Sequence, residues 1–289
     1  MSIQQRDSRY RVWHKRDTGL EGAGVDLPRA SPDAKLLCVP EGTLKRLCST
    51  VLHAAKENSN RLVLNTVLLE VAEGRLQATA TDTFRLVMAT ADGMAPGEAI
   101  AIVPANTVRA LLPHLGATND WSVTFQTEPP NPGPEDASSG MIVQTIDLHV
   151  QIGPMGKYPN YGKVIPGAHT SEAVFDREEL LAALRRLAPV AALDGNRLMM
   201  ARSEPYNATV RVCTTDLSDD AIAEEALDAD GDGPTESMGV SAKYLTDAVK
   251  ALGASPEVTI EFNGPLNPMR VTGSGAEGVA TVLMPTGMA

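Results

Sequence analysis

Apolar residues recur along this chain in two rhythms that take turns. Leu44, Leu47 and Val51 fall three and four apart, the spacing of one face of a helix. That stripe follows Pro40, a residue suited to a first helical turn because its missing N–H is not needed there. A second stripe runs through Leu180, Leu181, Leu184 and Leu187. It follows Asp176, a natural N-cap, with Glu179 three residues on in a pair like a capping box. Two further helices are expected after Pro104 and Ser241, each stopped by a glycine, Gly116 and Gly253. The expected helices therefore span 40–59, 104–116, 176–193 and 241–253. Between them the apolar positions alternate as in half-buried strands: Leu62 and Leu64, then Leu76, Ala78 and Ala80, later Val210 and Val212. The order strand, helix, several strands, helix, several strands reads twice. The pattern predicts an α+β fold, two helices on a mostly antiparallel sheet, in duplicate.

The duplication is also written in the residues. The run Val103-Pro104-Ala105-Asn106-Thr107-Val108-Arg109-Ala110-Leu111-Leu112 has a counterpart 137 residues later, Val240-Ser241-Ala242-Lys243-Tyr244-Leu245-Thr246-Asp247-Ala248-Val249. Leu-Gly-Ala follows each, at Leu115-Gly116-Ala117 and Leu252-Gly253-Ala254. Asn60-Arg61-Leu62 recurs as Asn196-Arg197-Leu198, an offset of 136, and Thr81-Asp82 as Thr215-Asp216, an offset of 134. Val123-Thr124-Phe125 recurs as Val258-Thr259-Ile260, an offset of 135. Four matches in one order at nearly constant spacing mark a duplicated domain, not a short solenoid repeat. Copy one covers about 36–167 and copy two about 168–289, which suits the usual size of a domain. Residues 1–35 belong to neither copy and are expected to be a flexible N-terminal arm.

Composition narrows the class. Cys38, Cys48 and Cys213 form no close pair and no metal spacing, which fits reduced thiols in a cytoplasmic protein. The charged N-terminus has no apolar core of a secretory signal, and no run approaches the roughly 18 apolar residues of a membrane span. The formal charge of −11 argues against nucleic acid only if it is spread evenly. It is not. The four expected helices hold nine Lys and Arg against six acids, so the acidic excess lies in strands and loops. Ordinary solvated helix faces give the same split, which gains meaning only if the helices share a surface.

Several motifs resemble the bacterial DNA polymerase III beta subunit, the β sliding clamp family. Leu64-Asn65-Thr66-Val67-Leu68-Leu69-Glu70 is similar to the family's strand before an acidic turn. Ala80-Thr81-Asp82-Thr83-Phe84-Arg85-Leu86 resembles its Ala-Thr-Asp-Gly-His/Tyr-Arg-Leu. Tyr158-Pro159-Asn160-Tyr161-Gly162-Lys163-Val164-Ile165-Pro166 resembles its linker, and Val282-Leu283-Met284-Pro285 the Val-Met-Pro near its end. The resemblance covers about 36–289 and matches the second and third of the family's three domains. Thr83 and Phe84 stand where the family carries Gly and His or Tyr, and Thr286-Gly287-Met288-Ala289 departs from its Arg-containing end.

The resemblance implies a non-catalytic processivity factor that encircles duplex DNA without reading its bases. Helices line the hole and meet phosphates through Lys and Arg. Lys45, Arg46, Lys56, Arg109, Arg185, Arg186, Lys243 and Lys250 are the candidates here. It further implies a hydrophobic cleft at the junction of the two domains for Leu- and Phe-bearing peptides of a DNA polymerase and a clamp loader. Matching positions are Arg61, Leu64, Thr81, Thr83, Phe84, Leu86, Pro159, Lys163, Val164, Val282, Met284 and Pro285. Core packing is the plainer role for Leu64, Leu86, Val164 and Val282. Two domains per chain would close a six-domain ring as a homotrimer, favoured over a dimer. The alternative is a clamp-like peptide-binding adaptor or decoy that forms no ring.

Other signals are weak. Asp228-Ala229-Asp230-Gly231-Asp232-Gly233 looks like the opening of an EF-hand loop, but its twelfth position is Gly239 instead of the bidentate Glu. It reads as an acidic hairpin loop. The five histidines make no metal spacing, and neither a phosphate loop nor a nucleophile elbow is present. No metal, cofactor or catalytic residue is expected. Asp82 and Asp216, equivalent in the two copies, read as turn residues. Glu128–Gly140 reads as a Pro/Gly/Ser insertion.

Overall fold

The computed structural model describes residues 10–14, 35–39, 42–55, 61–92, 98–115, 122–126, 140–144, 148–152, 158–202, 209–214 and 222–287. Two compact units divide the chain: one holds 1–82 and 89–159, the other 83–88 and 160–289.

In the first unit the chain runs β1 (Tyr10–His14), β2 (Lys35–Cys38), α1 (Thr43–Val51), β3 (Thr66–Ala72) and β4 (Arg75–Thr81). It continues with β5 (Arg85–Asp92, from Ala89 in this unit), β6 (Ala99–Pro104), α2 (Ala105–Leu111), β7 (Ser122–Gln126), β8 (Gly140–Gln144) and β9 (Leu148–Ile152). One antiparallel sheet has the order β1-β9-β8-β7-β2. In the other, β3 lies between β4 and β6. Val67, Leu68, Leu69 and Val71 are all buried, so β3 is covered on both faces and reads as an apolar run. Glu73 and Gly74 join β3 to β4 with φ of 51° and 74°. Positive φ at both central residues is what a two-residue turn needs to follow the twist of its strands.

Three expectations are corrected in this unit. The first helix begins at Thr43, because Gly42 before it takes φ +72°, outside the helical region. Pro40, Lys56 and Gly116 lie outside the described residues. Leu62 and Leu64 belong to a 3-10 turn, Leu62–Asn65, and the strand starts only at Thr66, whose hydroxyl donates to the Val63 carbonyl at 2.6 Å. Tyr10–His14, in the stretch expected as an arm, forms a strand antiparallel to β9, from Tyr10 opposite Ile152 to His14 opposite Leu148.

The second unit contains β10 (Ser171–Asp176), α3 (Arg177–Ala191), β11 (Arg197–Arg202), β12 (Thr209–Thr214), β13 (Glu224–Asp228) and β14 (Asp230–Gly231). After these come β15 (Met238–Ser241), α4 (Ala242–Ala251), β16 (Glu257–Phe262), β17 (Met269–Gly273) and β18 (Val279–Leu283). One sheet is ordered β13-β12-β11-β15; the other runs β14-β10-β16-β17-β18, with the start of β5 next to β18. The Met284 N–H donates to the Phe84 carbonyl at 2.8 Å, fastening residues 83–88 there. Phe175, Phe262, Leu180 and Leu184 are fully buried. The predicted Asp176 cap forms, with the Glu179 N–H donating to Asp176 Oδ1 at 2.9 Å, and Ser241 caps α4 as well, accepting from the Tyr244 N–H at 3.4 Å. Gly253, just past α4, takes φ +65° as a helix-ending glycine does.

The duplication is visible in the topology. The order β2-α1-β3-β4-β5 then β6-α2-β7-β8-β9 is matched by β10-α3-β11-β12-β13 then β15-α4-β16-β17-β18, with β14 as an addition. Strand registers test the residue matches. Thr66 faces Pro104 and Arg197 faces Ser241, where Pro104 and Ser241 precede the equivalent helices. Thr66 is therefore the counterpart of Arg197, and the Asn60-Arg61-Leu62 match is not structural; the 3-10 turn inserted before β3 shifts the alignment. Leu68 faces Thr79 as Met199 faces Cys213, which keeps the offset of 134. Thr215 and Asp216 themselves lie outside the described residues.

Candidate nucleic-acid and partner interface

Amphipathic helices must turn their polar stripe to solvent, and in the second unit two do so side by side. Helix α3 buries Leu180, Leu181, Ala183, Leu184 and Leu187, leaving Arg185 and Arg186 exposed. Helix α4, which packs on α3, buries Leu245, Ala248 and Val249. Lys243, Asp247 and Lys250, spaced four and three apart, share its solvent face. In the first unit, Lys45 and Arg46 are exposed on α1, and Arg109 on α2 is half-buried with Nη1 3.2 Å from Asn106 Oδ1. Lys56 lies outside the described residues.

These cations are not equally available. Arg186 forms a two-pronged bond with Glu225 of β13, Nε to Oε1 at 2.6 Å and Nη2 to Oε2 at 3.0 Å. That hydrogen bonding raises the Arg186 pKa and lowers that of Glu225. Lys243 is 3.3 Å from Asp247. Lys45, Arg46, Arg185 and Lys250 make no ion pair among the described residues. Among the described cations named from the sequence, these four keep their charge open to a phosphate.

Apolar candidates divide in the same way. Leu64 (6% exposed), Leu86 (2%) and Val282 (2%) are buried, as core packing, the plainer of their two roles, requires. Phe84 is 54% exposed, Val164 45% and Met284 36%. The Met284-to-Phe84 backbone bond sets two of these large apolar residues next to each other in the second unit. Thr83 and Lys163 are exposed there and Pro285 is half-buried; in the first unit Arg61 and Pro159 are exposed and Thr81 is half-buried. Thr83 has φ +81°, a left-handed backbone that a β-branched residue adopts only under strain. The resembled motif has Gly at this place, and the backbone shows why.

One residue of that motif carries a role the sequence did not reveal. Arg85 is buried at 6% exposure, with Nη1 2.7 Å from Asp247 Oδ2 and its guanidinium 4.3 Å from the centre of the Tyr244 ring. Burial alone would raise the Asp247 pKa, but the Arg85 hydrogen bond and the Lys243 charge outweigh it and hold the carboxyl below its usual value. The ion pair ties the 83–88 segment to α4. An arginine in an apolar strand hints at a buried partner, but nothing in the sequence marks Asp247, 162 residues away.

The remaining signals resolve structurally. Asp230 and Gly231 form β14 and pair with Val174 and Ala173, so part of the expected acidic loop is a strand. Gly231 has φ +104°, and a Cβ there would lie 2.6 Å from the Glu172 carbonyl oxygen, which accounts for glycine at this strand edge. No group of three His, Cys, Asp or Glu among the described residues is placed to hold a metal ion. Burial pushes the Cys48 thiol up to about 12, leaving it inert. Among the described residues no helix is long and apolar enough to cross a membrane.

Comparison with known proteins gives concordant matches. Residues 38–131 match the family model for the DNA polymerase III beta subunit central domain, and 162–287 that for its C-terminal domain. The beta sliding clamp of Caulobacter vibrioides is 29% identical over 273 residues, covering 90% of this chain and 68% of that protein. That of Synechococcus elongatus is 25% identical over 238 residues, covering 81% of this chain and 60% of the relative. The chain thus spans about two thirds of the length of these relatives or less. The crystal structure of DNA polymerase III subunit beta from Pseudomonas aeruginosa superposes with a TM-score of 0.77 at 23% identity, covering 91% of this chain and 69% of that one.

Proposed function

Since this chain belongs to the DNA polymerase III beta subunit family, we propose that it works as a DNA sliding clamp, a non-catalytic processivity factor. It encircles duplex DNA with copies of itself and holds it through phosphate contacts that carry no sequence information. The observation that carries the reading is the paired solvent face of α3 and α4, where Arg185 and Lys250 stand exposed on a chain of net charge −11. Acidic strands and loops keep the outside off DNA, and a few loose cations let the duplex slide. Arg185, Lys250, Lys45 and Arg46 make the DNA contacts; Arg186 and Lys243 join them only by leaving Glu225 and Asp247. Phe84 and Met284, with Val164, serve as anchor points for Leu- and Phe-bearing peptides of a polymerase and a clamp loader. Met suits such a site because its thioether chain adapts to varied ligands.

Retention on DNA of different topology tests the reading. The chain, loaded on nicked circular DNA, should stay through a wash of about 0.5 M salt and leave when the circle is cut. Salt-sensitive binding that is equal on circular and linear DNA would sink the clamp. Binding of a Leu/Phe peptide without any retention on circles would point instead to a peptide-binding module that forms no ring.

A further inference from the structure

The two copies share one topology but differ in what lies along their last strands. In the second unit, β18 has the start of β5 beside it. The repeat makes β9 the counterpart of β18 and β13 the counterpart of β5. Repeating the same join between two molecules would set β13 of one copy along β9 of another. Strand β13 ends its sheet order, with β12 on one side and no strand beyond it among the described residues. The outer edge of β9 is not open: β1 covers all five of its residues, Leu148 to Ile152.

We propose that the outer edge of β9 is the acceptor for β13 of a second copy, and that β1 is an internal competitor that must leave before copies join. This deepens the clamp reading and rests on it. Both strands are five residues long, so either can satisfy the same row of donors and acceptors on β9. Edge pairing runs through main-chain bonds and tolerates unrelated sequences, which is why Tyr10–His14 can stand in for Glu224–Asp228. A strand tethered in the same chain competes at an effective concentration on the order of millimolar, so a free copy at micromolar concentration meets a closed edge. The device keeps single chains from polymerising through an exposed strand edge and makes closure depend on whatever draws β1 away.

The test measures mass by light scattering across a dilution series, on the full chain and three variants. Alternate residues of a strand donate to its neighbour, so the double substitution Arg11→Pro with Val12→Pro removes one inward donor whichever way the register falls. It should lower the concentration at which copies associate by about tenfold or more. Ala226→Pro blocks the outer edge of β13; the Thr214–Ala223 bond sets an alternation that points the Ala226 N–H away from β12. It should abolish association alone and in the proline pair. A synthetic peptide of residues 8–16 should return the proline pair to the parent's weaker association by reoccupying the β9 edge. Association in the parent that the proline pair leaves unchanged overturns the competition and leaves the clamp standing. Association that survives Ala226→Pro overturns β13 as the partner. A mass of one chain in every variant at every concentration overturns both the competition and the ring.

Discussion

Strands β9 and β18 occupy the same place in the two copies, and each has an outer neighbour drawn from a different part of the chain. Beside β18, residues 83–88 bring a buried arginine that reaches Asp247 and stacks on Tyr244. Removing such a segment would leave the half-buried Asp247 carboxylate without its arginine, which is costly. Beside β9, β1 forms a backbone ladder of five residue pairs. A ladder at a sheet edge exchanges with water or another strand at little net cost. One fold position thus carries a buried ion pair beside β18 and, in the competition proposed above, a replaceable strand beside β9.

Breaking the buried ion pair should give the largest effect. Arg85→Ala leaves Asp247 half-buried without its main partner, and loss of one member of a buried pair costs about 3 kcal/mol when one side keeps some exposure. Chemical denaturation should show that loss in the second unit, while the Arg11→Pro, Val12→Pro pair costs less than about 1 kcal/mol. Equal costs for the two would erase the distinction between the joins. The same pair has a pH signature. The folded pKa of Asp247 is depressed, so its contribution is complete above the unfolded value of about 3.9 and is lost as pH falls through the folded value. The parent should lose stability below about pH 4 more steeply than Arg85→Met, in which no guanidinium is present to reward the carboxylate.

A smaller effect sharpens the contrast between the first helices of the copies. Helix α3 is capped by Asp176, whereas Gly42 ahead of α1 offers no side chain to cap with. Asp176→Ala should cost about 1 kcal/mol, whereas Gly42→Ala should destabilise through its left-handed φ of +72° and not through a lost cap. Asp176→Asn, which keeps the cap, separates the two mechanisms: it should recover most of the loss in thermal denaturation.

Much of this was legible in the sequence because local rules wrote it. Asp176 with Glu179, Ser241, Gly253 and the 137-residue repeat around the second helices all express short-range chemistry, and the structure keeps them. What stayed hidden depended on distant or competing terms. The 3-10 turn at Leu62–Asn65 has strand-like alternation, and only its place before β3 tells it apart. Val164 shares an apolar type with Leu64, Leu86 and Val282, for which core packing was the plainer role, but it alone of the four is exposed, at 45%. The pairing of Arg85 with Asp247 and of Arg186 with Glu225 joins residues 162 and 39 apart, which no periodicity records. The candidate DNA face was legible as a list of cations, and its selectivity was not, because neighbours neutralise some and spare others.

Thr83 supplies the most specific prediction. Its φ of +81° puts a β-branched side chain against its own backbone, at the link between β4 and the segment that fastens to Met284. Thr83→Gly relieves that strain but gives the unfolded chain more freedom, and the two effects oppose each other. Strain at such a site is worth about 1–3 kcal/mol and the glycine entropy about 1 kcal/mol, so the net should be a gain of up to about 2 kcal/mol. Thr83→Ala keeps the Cβ and should gain nothing, which makes it the control. If the strain has a use, it lies in how rigidly the exposed Phe84 is presented. Thr83→Gly should then raise the melting temperature while weakening a Leu/Phe peptide about two- to threefold, because a freer backbone must be ordered on binding. Stability and affinity rising together would mean the threonine is only a burden on the fold.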